Sequence, residues 1–276
     1  MVRPLDCALT IAGSDCGGGA GIQADIKTFT VHGVYGLSVI TALTAQNTLG
    51  VYGISVPDEG FVALQLQKVL EDFPIKAAKT GMLFSAQIIS EVSSVLKGRD
   101  FPVVVDPVCV SQTGHKLLQK DAVTALKEQI LPLSTLITPN KPEAEFLTGM
   151  ESIYSPDEIF QAMDIFMDMG AQSVLIKGGH FKDQENMVDW IKVKGSDPVS
   201  IIKPRIHTRN THGTGCTLSA AITANLASGS DMFAAVEKAR DYLQKALEDN
   251  FDLGHGDGPV NHLTGFSCST FGSPES

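Results

Sequence analysis

Short runs of apolar, often β-branched residues alternate with stretches whose apolar positions recur at helical spacing. Residues 7–12, 34–46, 51–56, 75–79, 103–105, 135–138, 173–177 and 187–193 read as strands. Residues 20–32, 61–73, 86–96, 122–131, 143–147, 159–169, 217–227 and 232–247 read as helices. Strands separated by helices predict βαβ units and a mostly parallel sheet. The unbroken apolar run Pro102-Val103-Val104-Val105 is what a sheet covered on both faces requires. The predicted fold class is therefore α/β, a mostly parallel central sheet flanked by helices on both faces. No composition break, repeat or linker divides the chain, so one domain is expected over residues 5–263. The Ser-, Gly- and Pro-bearing residues 264–276 are expected to form a loose tail.

Charge and composition narrow the function classes. The 276 residues carry 21 Lys and Arg against 31 Asp and Glu, a net charge of −10, which argues against a nucleic-acid surface. It does not argue against a phosphate ligand, since backbone amides and one or two lysines suffice for an anion site. No run reaches the ~18 apolar residues that span a bilayer. The N-terminus carries Asp6 where a signal peptide would place its apolar core, so a cytoplasmic protein without membrane association is expected. The five cysteines, at 7, 16, 109, 216 and 268, show no CxxC pair and read as reduced thiols, with Cys7 packed in a strand and Cys268 in the polar tail. His207 and His212 lack a third ligand at usable spacing for zinc.

The most informative stretch is Thr211-His212-Gly213-Thr214-Gly215-Cys216, just before a helical run. Backbone N–H groups bared at a helix start bind anions, because they lack partners and the helix dipole is positive there. The same positive end is expected to lower the thiol pKa of Cys216 and suit it to accept a proton. An anion hole containing a weak base fits phosphoryl transfer to an alcohol. A plain glycine-rich loop ahead of a helix reads equally well from the pattern alone.

Four further motifs follow strand ends, where open parallel sheets collect ligands. Gly13-Ser14-Asp15-Cys16-Gly17-Gly18-Gly19-Ala20-Gly21 is neither a dinucleotide fingerprint nor a Walker A loop; it reads as a cradle for a flat ligand or as a simple turn. Asp106-Pro107 leaves a buried strand and reads as a metal or nucleophile orienter, or as a turn cap. Asn140 and Glu143 have capping-box spacing, compatible with holding Mg²⁺ through water. Lys177-Gly178-Gly179 places a cation where a polyphosphate could meet it, although a lone lysine is usually solvated. No G-x-S-x-G elbow supports a hydrolase.

Together these motifs resemble the hydroxymethylpyrimidine and phosphomethylpyrimidine kinases of thiamine biosynthesis, within the ribokinase-like superfamily. The resemblance runs from about Leu9 to His262. It adds Gly18-Gly19-Ala20-Gly21-Ile22-Gln23-Ala24-Asp25, Thr41-Ala42-Leu43-Thr44-Ala45-Gln46, Lys79-Thr80-Gly81-Met82 and Gly258-Pro259-Val260-Asn261-His262 to the motifs above. It implies a ribokinase-like fold, ATP and Mg²⁺ as cofactors, and two successive phosphorylations of an aminopyrimidine. By similarity, Gln46 would read the pyrimidine edge, and Gly13, Met82 and Val108 would line the ring pocket. Gly213, Thr214, Gly215 and Cys216 would form the anion hole, with Cys216 as base. Lys177, Thr208 and Asn210 would serve the nucleotide, and Asp106, Asn140 and Glu143 the metal. The resemblance also implies a homodimer. Cys16-Gly17, Cys109, His255 and Asp257 depart from the usual family residues. The alternatives are a pyridoxine or pyridoxal kinase and a non-catalytic pyrimidine sensor. The donor-and-acceptor amide of Gln46 favours the aminopyrimidine over the first, and Cys216 with Lys177 argues against the second.

Overall fold

The computed structural model describes residues 5–109, 120–180, 185–249 and 251–266; of the tail expected over 264–276, residues 267–276, with Cys268, lie outside them, while Thr264 is buried and donates to Asp249. Nine strands form one sheet in the order β3-β2-β1-β4-β5-β6-β7-β8-β9. They are β1 Cys7–Asp15, β2 Tyr35–Asn47, β3 Gly50–Ser55, β4 Ile75–Thr80, β5 Val103–Val105, β6 Leu136–Ile137, β7 Ser173–Ile176, β8 Asn186–Val193 and β9 Val199–Pro204. The core from β2 through β7 is parallel, and β3, β8 and β9 pair antiparallel at the two edges.

The helices are α1 Gly21–Val31, α2 Phe61–Asp72, α3 Ala86–Leu96, α4 Lys120–Ala125, α5 Lys141–Thr148, α6 Pro156–Asp168, α7 Thr214–Ala227 and α8 Met232–Glu248. Helices α2 to α6 cover one face, and α1, α7 and α8 the other. The strand period of two sorts the core: Val103 and Val105 of β5 join the first layer while Val104 joins the second. This two-faced burial is why the central strands are apolar without alternation.

Three differences from the sequence expectation have local causes. The helix expected over 122–131 is α4 followed by a π turn, Leu126–Ile130, and a 3-10 turn, Leu131–Leu133; Pro132 has no N–H with which to continue the α ladder. β9 was not expected: an edge strand with no buried position, it carries no periodic signal and ends on Pro204. Helix α7 begins at Thr214, three residues early, which puts Cys216 inside its first turn. Among the described residues, no helix is long and apolar enough to cross a membrane.

Candidate functional site

The carboxyl ends of β1, β2, β4, β5, β6 and β7 open into a cleft of about 680 Å³. Gly13, Gln46, Met82, Val108, Asp106, Asn140, Glu143, Lys177 and the segment from Gly213 to Cys216 all line it. Motifs separated by up to two hundred residues thus share one space. Thr208 and Asn210 do not line it. The Asn210 side-chain amide instead donates to the Phe251 carbonyl at 2.5 Å, and its Oδ1 abuts Gly258, where an added Cβ would come within 2.1 Å. Asn210 therefore ties the segment before α7 to the C-terminal loop.

Gly213 caps α7 in the left-handed region, φ 82°, and an added Cβ would sit 1.8 Å from the Gly19 carbonyl. Only glycine allows this turn and this approach between the two loops. No side chain caps α7, so its first N–H groups face the cleft, as an anion hole requires. Gly215 faces the charged floor: a Cβ there would lie 3.4 Å from both Asp106 Oδ2 and Lys177 Nζ.

Cys216 is half-buried, and the Gly21 amide hydrogen-bonds its sulfur. The expected drop in thiol pKa is not found. Burial pushes the thiol up to about 12; Lys79 works downward, while Asp25 and Asp106 work upward. Loss of solvation outweighs the helix dipole at this site. Without ligands Cys216 is a thiol, not a thiolate.

Lys177 Nζ lies 3.1 Å from Asp106 Oδ1 and 3.9 Å from Glu143 Oε2. Burial acts to lower the lysine pKa, but Asp106 and Glu143 together hold it above its ordinary value. Glu143 is pushed up to about 7 by burial, with Lys177 opposing and Asp106 assisting. The capping box is present: Asn140 Oδ1 accepts from the Glu143 N–H, and Glu143 Oε2 accepts from the Asn140 N–H, both at 2.9 Å. The oxygen of Asn140 is thus committed to the helix cap. Two buried carboxylates around one lysine leave negative charge that a divalent cation would neutralise, and Mg²⁺ typically takes one or two carboxylates together with phosphates and water. The residues fit such an ion, which Asp106 and Glu143 would hold.

Part of the cleft floor is apolar. Met82 packs with Ala42 and Val108, and a Cβ on Gly13 would meet the Met82 methyl at 2.6 Å. A flat ring could lie on this floor. Gln46, half-buried at the end of β2, borders it; its amide nitrogen is 3.4 Å from His212 Nε2, which is 2.8 Å from Asp15 Oδ2. Burial acts upward on Asp15, but the bonds from His212, Ala20 and Gly17 hold it below its ordinary value. The Asp15–His212 pair joins residues 197 apart and carried no signal in sequence. Also unforeseen are the buried pairs Asp25–Lys79, at 2.6 Å beneath α7, and Arg240–Asp189, at 2.7 Å in the cleft lining. Of the departures, Cys16 is exposed beside Gln46, Cys109 is buried, and the backbone N–H groups of His255 and Asp257 bond Thr48 of the β2–β3 turn.

Residues 15–261 match the phosphomethylpyrimidine kinase family. The chain is 48% identical over 257 residues to the hydroxymethylpyrimidine/phosphomethylpyrimidine kinase of Bacillus subtilis, covering 93% of this chain and 94% of that one. It is 46% identical over 257 residues to the enzyme of that name from Haemophilus influenzae, covering 92% and 95%. Among solved structures, the ADP complex of Bacillus subtilis pyridoxal kinase superposes with a TM-score of 0.85 at 36% identity, covering 94% and 98%. Phosphomethylpyrimidine kinase from Clostridium difficile superposes with 0.76 at 41% identity, covering 87% and 98%. The fold is the ribokinase-like one that these kinases share.

Proposed function

Since the chain belongs to the phosphomethylpyrimidine kinase family, we propose that it moves the γ-phosphoryl group of ATP onto 4-amino-5-hydroxymethyl-2-methylpyrimidine, and a second onto the monophosphate, in thiamine biosynthesis. The observation that carries this reading is one cleft that Cys216, at a bare helix N-terminus, shares with an apolar ring floor and the Lys177 cation. The hydroxymethyl oxygen attacks the γ-phosphorus and the bond to the β-phosphate oxygen breaks. Cys216, having first released its own proton to solvent, takes the hydroxyl proton on its thiolate sulfur, and ADP leaves. The α7 amides stabilise the charge on the transferring group, worth several kcal/mol where donors are preorganised. Lys177 meets the ATP phosphates. Mg²⁺, held by Asp106 and Glu143, would neutralise phosphate charge. Gln46 pairs with the amino-bearing edge of the ring.

The test is ADP formation with hydroxymethylpyrimidine, its monophosphate and pyridoxal side by side. The first two should be turned over at higher kcat/KM than pyridoxal; preference for pyridoxal would overturn the assignment. That second reading is favoured by the close superposition on pyridoxal kinase. A homodimer is part of the proposal. β3 is an edge strand with exposed Tyr52 and Ile54, and the following helix α2 exposes Phe61 and Leu64, apolar surface suited to a second copy. Light scattering should give twice the mass of one chain, and Ile54→Lys should halve it; a wild-type monomer would refute this.

A further inference from the structure

Beneath the first turn of α7 lies an ion pair that the mechanism above does not use. Lys79 of β4 and Asp25 of α1 are wholly inaccessible to solvent and 2.6 Å apart, and Thr10 of β1 donates to the second oxygen of Asp25 at 2.6 Å. The lysine also donates to the backbone carbonyl of Cys216 at 3.3 Å. Three core elements thus converge under one turn of helix. Burying such a pair is expensive, and apolar residues of similar size would often serve stability as well or better. Its orientation is also unfavourable for the fold alone, because it sets a cation beneath a helix end that is already positive. That arrangement becomes favourable when negative charge arrives at the helix start.

We propose that Lys79, fixed by Asp25 and Thr10, is a positioning residue that holds the first turn of α7 and stabilises the Cys216 thiolate that takes up the proton in the alcohol step. The inference rests on the reading of Cys216 as the base. The charged groups facing Cys216 are Lys79, Asp25, Asp106 and, across the cleft, Lys177. Of these, Lys79 acts most strongly on the thiol, in the direction of ionisation, and more strongly than Asp25 opposes it. Asp25 holds the lysine charged in a site where burial alone would discharge it. The net effect at the sulfur is that of a fixed dipole with its positive end toward α7.

The test uses Lys79→Gln, which keeps donors for Asp25 and the Cys216 carbonyl but removes the charge, and Lys79→Met/Asp25→Leu, which removes the pair. Two readouts separate charge from structure. The first is alkylation of Cys216 by iodoacetamide, followed peptide by peptide by mass spectrometry. Losing an opposite charge at this range raises a pKa by about one unit or more. With the nucleophilicity offset, alkylation at fixed pH should slow about threefold or more. The second is the ratio of the two phosphorylations. The alcohol step should fall about tenfold or more, whereas transfer to the monophosphate, whose acceptor oxygen is already ionised near pH 7, should fall much less. Urea midpoints near wild type would accompany both. Unchanged Cys216 alkylation in a folded variant, or equal loss in both steps, would overturn the proposal. If the double variant does not fold, Lys79→Gln decides alone; if neither folds, Lys79→Arg, which keeps the charge, must retain Cys216 alkylation within twofold. Should Cys216→Ala retain wild-type activity, the base assignment fails, and alkylation still reports on the pair.

Discussion

Replacing Cys216 by alanine separates the two phosphorylations, and the structure gives the size of the effect. The unliganded thiol stands at about 12. At pH 8, about four units lower, roughly one molecule in ten thousand carries the thiolate. If the thiolate accepts the hydroxyl proton, kcat for hydroxymethylpyrimidine should rise about tenfold per pH unit from pH 6.5 to 8.5, with no plateau near neutrality. General-base assistance is worth roughly 10²–10⁴ in rate, so Cys216→Ala should lose about that in kcat while KM for the pyrimidine changes little. The monophosphate acceptor needs no base, since its second pKa of about 6 leaves it ionised. That step should lose far less in the same protein, which is an internal control against misfolding. Cys216→Asp should retain partial alcohol-step activity with a flat pH profile above 7. Coupled ADP assays at saturating MgATP read every quantity. Near wild-type kcat in Cys216→Ala, or equal losses for both acceptors, would refute the reasoning.

The remaining expectations concern the ring, the nucleotide side and the core. Gln46→Leu leaves a buried polar edge unmatched at about 1–3 kcal/mol, so kcat/KM for the aminopyrimidine should drop roughly 5- to 150-fold and that for pyridoxal much less; equal losses would make Gln46 a fold residue. Lys177→Ala should raise KM for MgATP and lower kcat without changing pyrimidine KM, as initial-rate kinetics would show. Glu143, pushed up to about 7, gains a proton as pH falls through neutrality, so the magnesium requirement should rise from pH 8 to 6. Glu143→Gln should need more magnesium at every pH and lose that trend; a titration superimposing on wild type would leave Glu143 a helix cap only. His262, buried against Thr217, is pulled down to about 4 by burial, with Lys27 and His212 assisting. The unfolded chain therefore binds a proton first as pH falls below about 6.5, and stability present above that pH should be lost toward 4, by about 2 kcal/mol between pH 7 and 5. Urea unfolding of His262→Gln should show a smaller loss over that interval.

What was legible in the sequence was whatever repeats locally. Short unbroken apolar runs and the period of 3.6 marked eight of the nine strands and the eight α-helices of the described residues, because each central strand is buried on both faces and most helices on one, while α7 is buried nearly all round. β9 escaped because an edge strand has no buried position to mark it. The site was legible for a different reason. A parallel sheet delivers the residue after each strand to the same end, so Asp106, Asn140 and Lys177 converge from their chain positions alone. Pairings across the fold were not legible. Asp15 meets His212, and Asp25 meets Lys79, only because α1 and α7 pack side by side on the same face of β1 and β4.

Nor could sequence weigh two opposing effects on one atom. The glycine-rich start of α7 argued for an acidic thiol at Cys216, and that field is present. The same packing that sets the sulfur against α1 also strips its water, and desolvation wins by raising the thiol above its ordinary range. A base held this far from ionisation is quiet near neutral pH. That suits a kinase that must not spend ATP on water: only the scarce thiolate can accept a proton, so at neutral pH a water in the site rarely meets a base. The wild-type ADP background without pyrimidine should accordingly be low at neutral pH and rise with pH in step with the alcohol reaction. Measuring both rates over the same pH range checks the link, and a background that stays flat while the alcohol reaction climbs would break it.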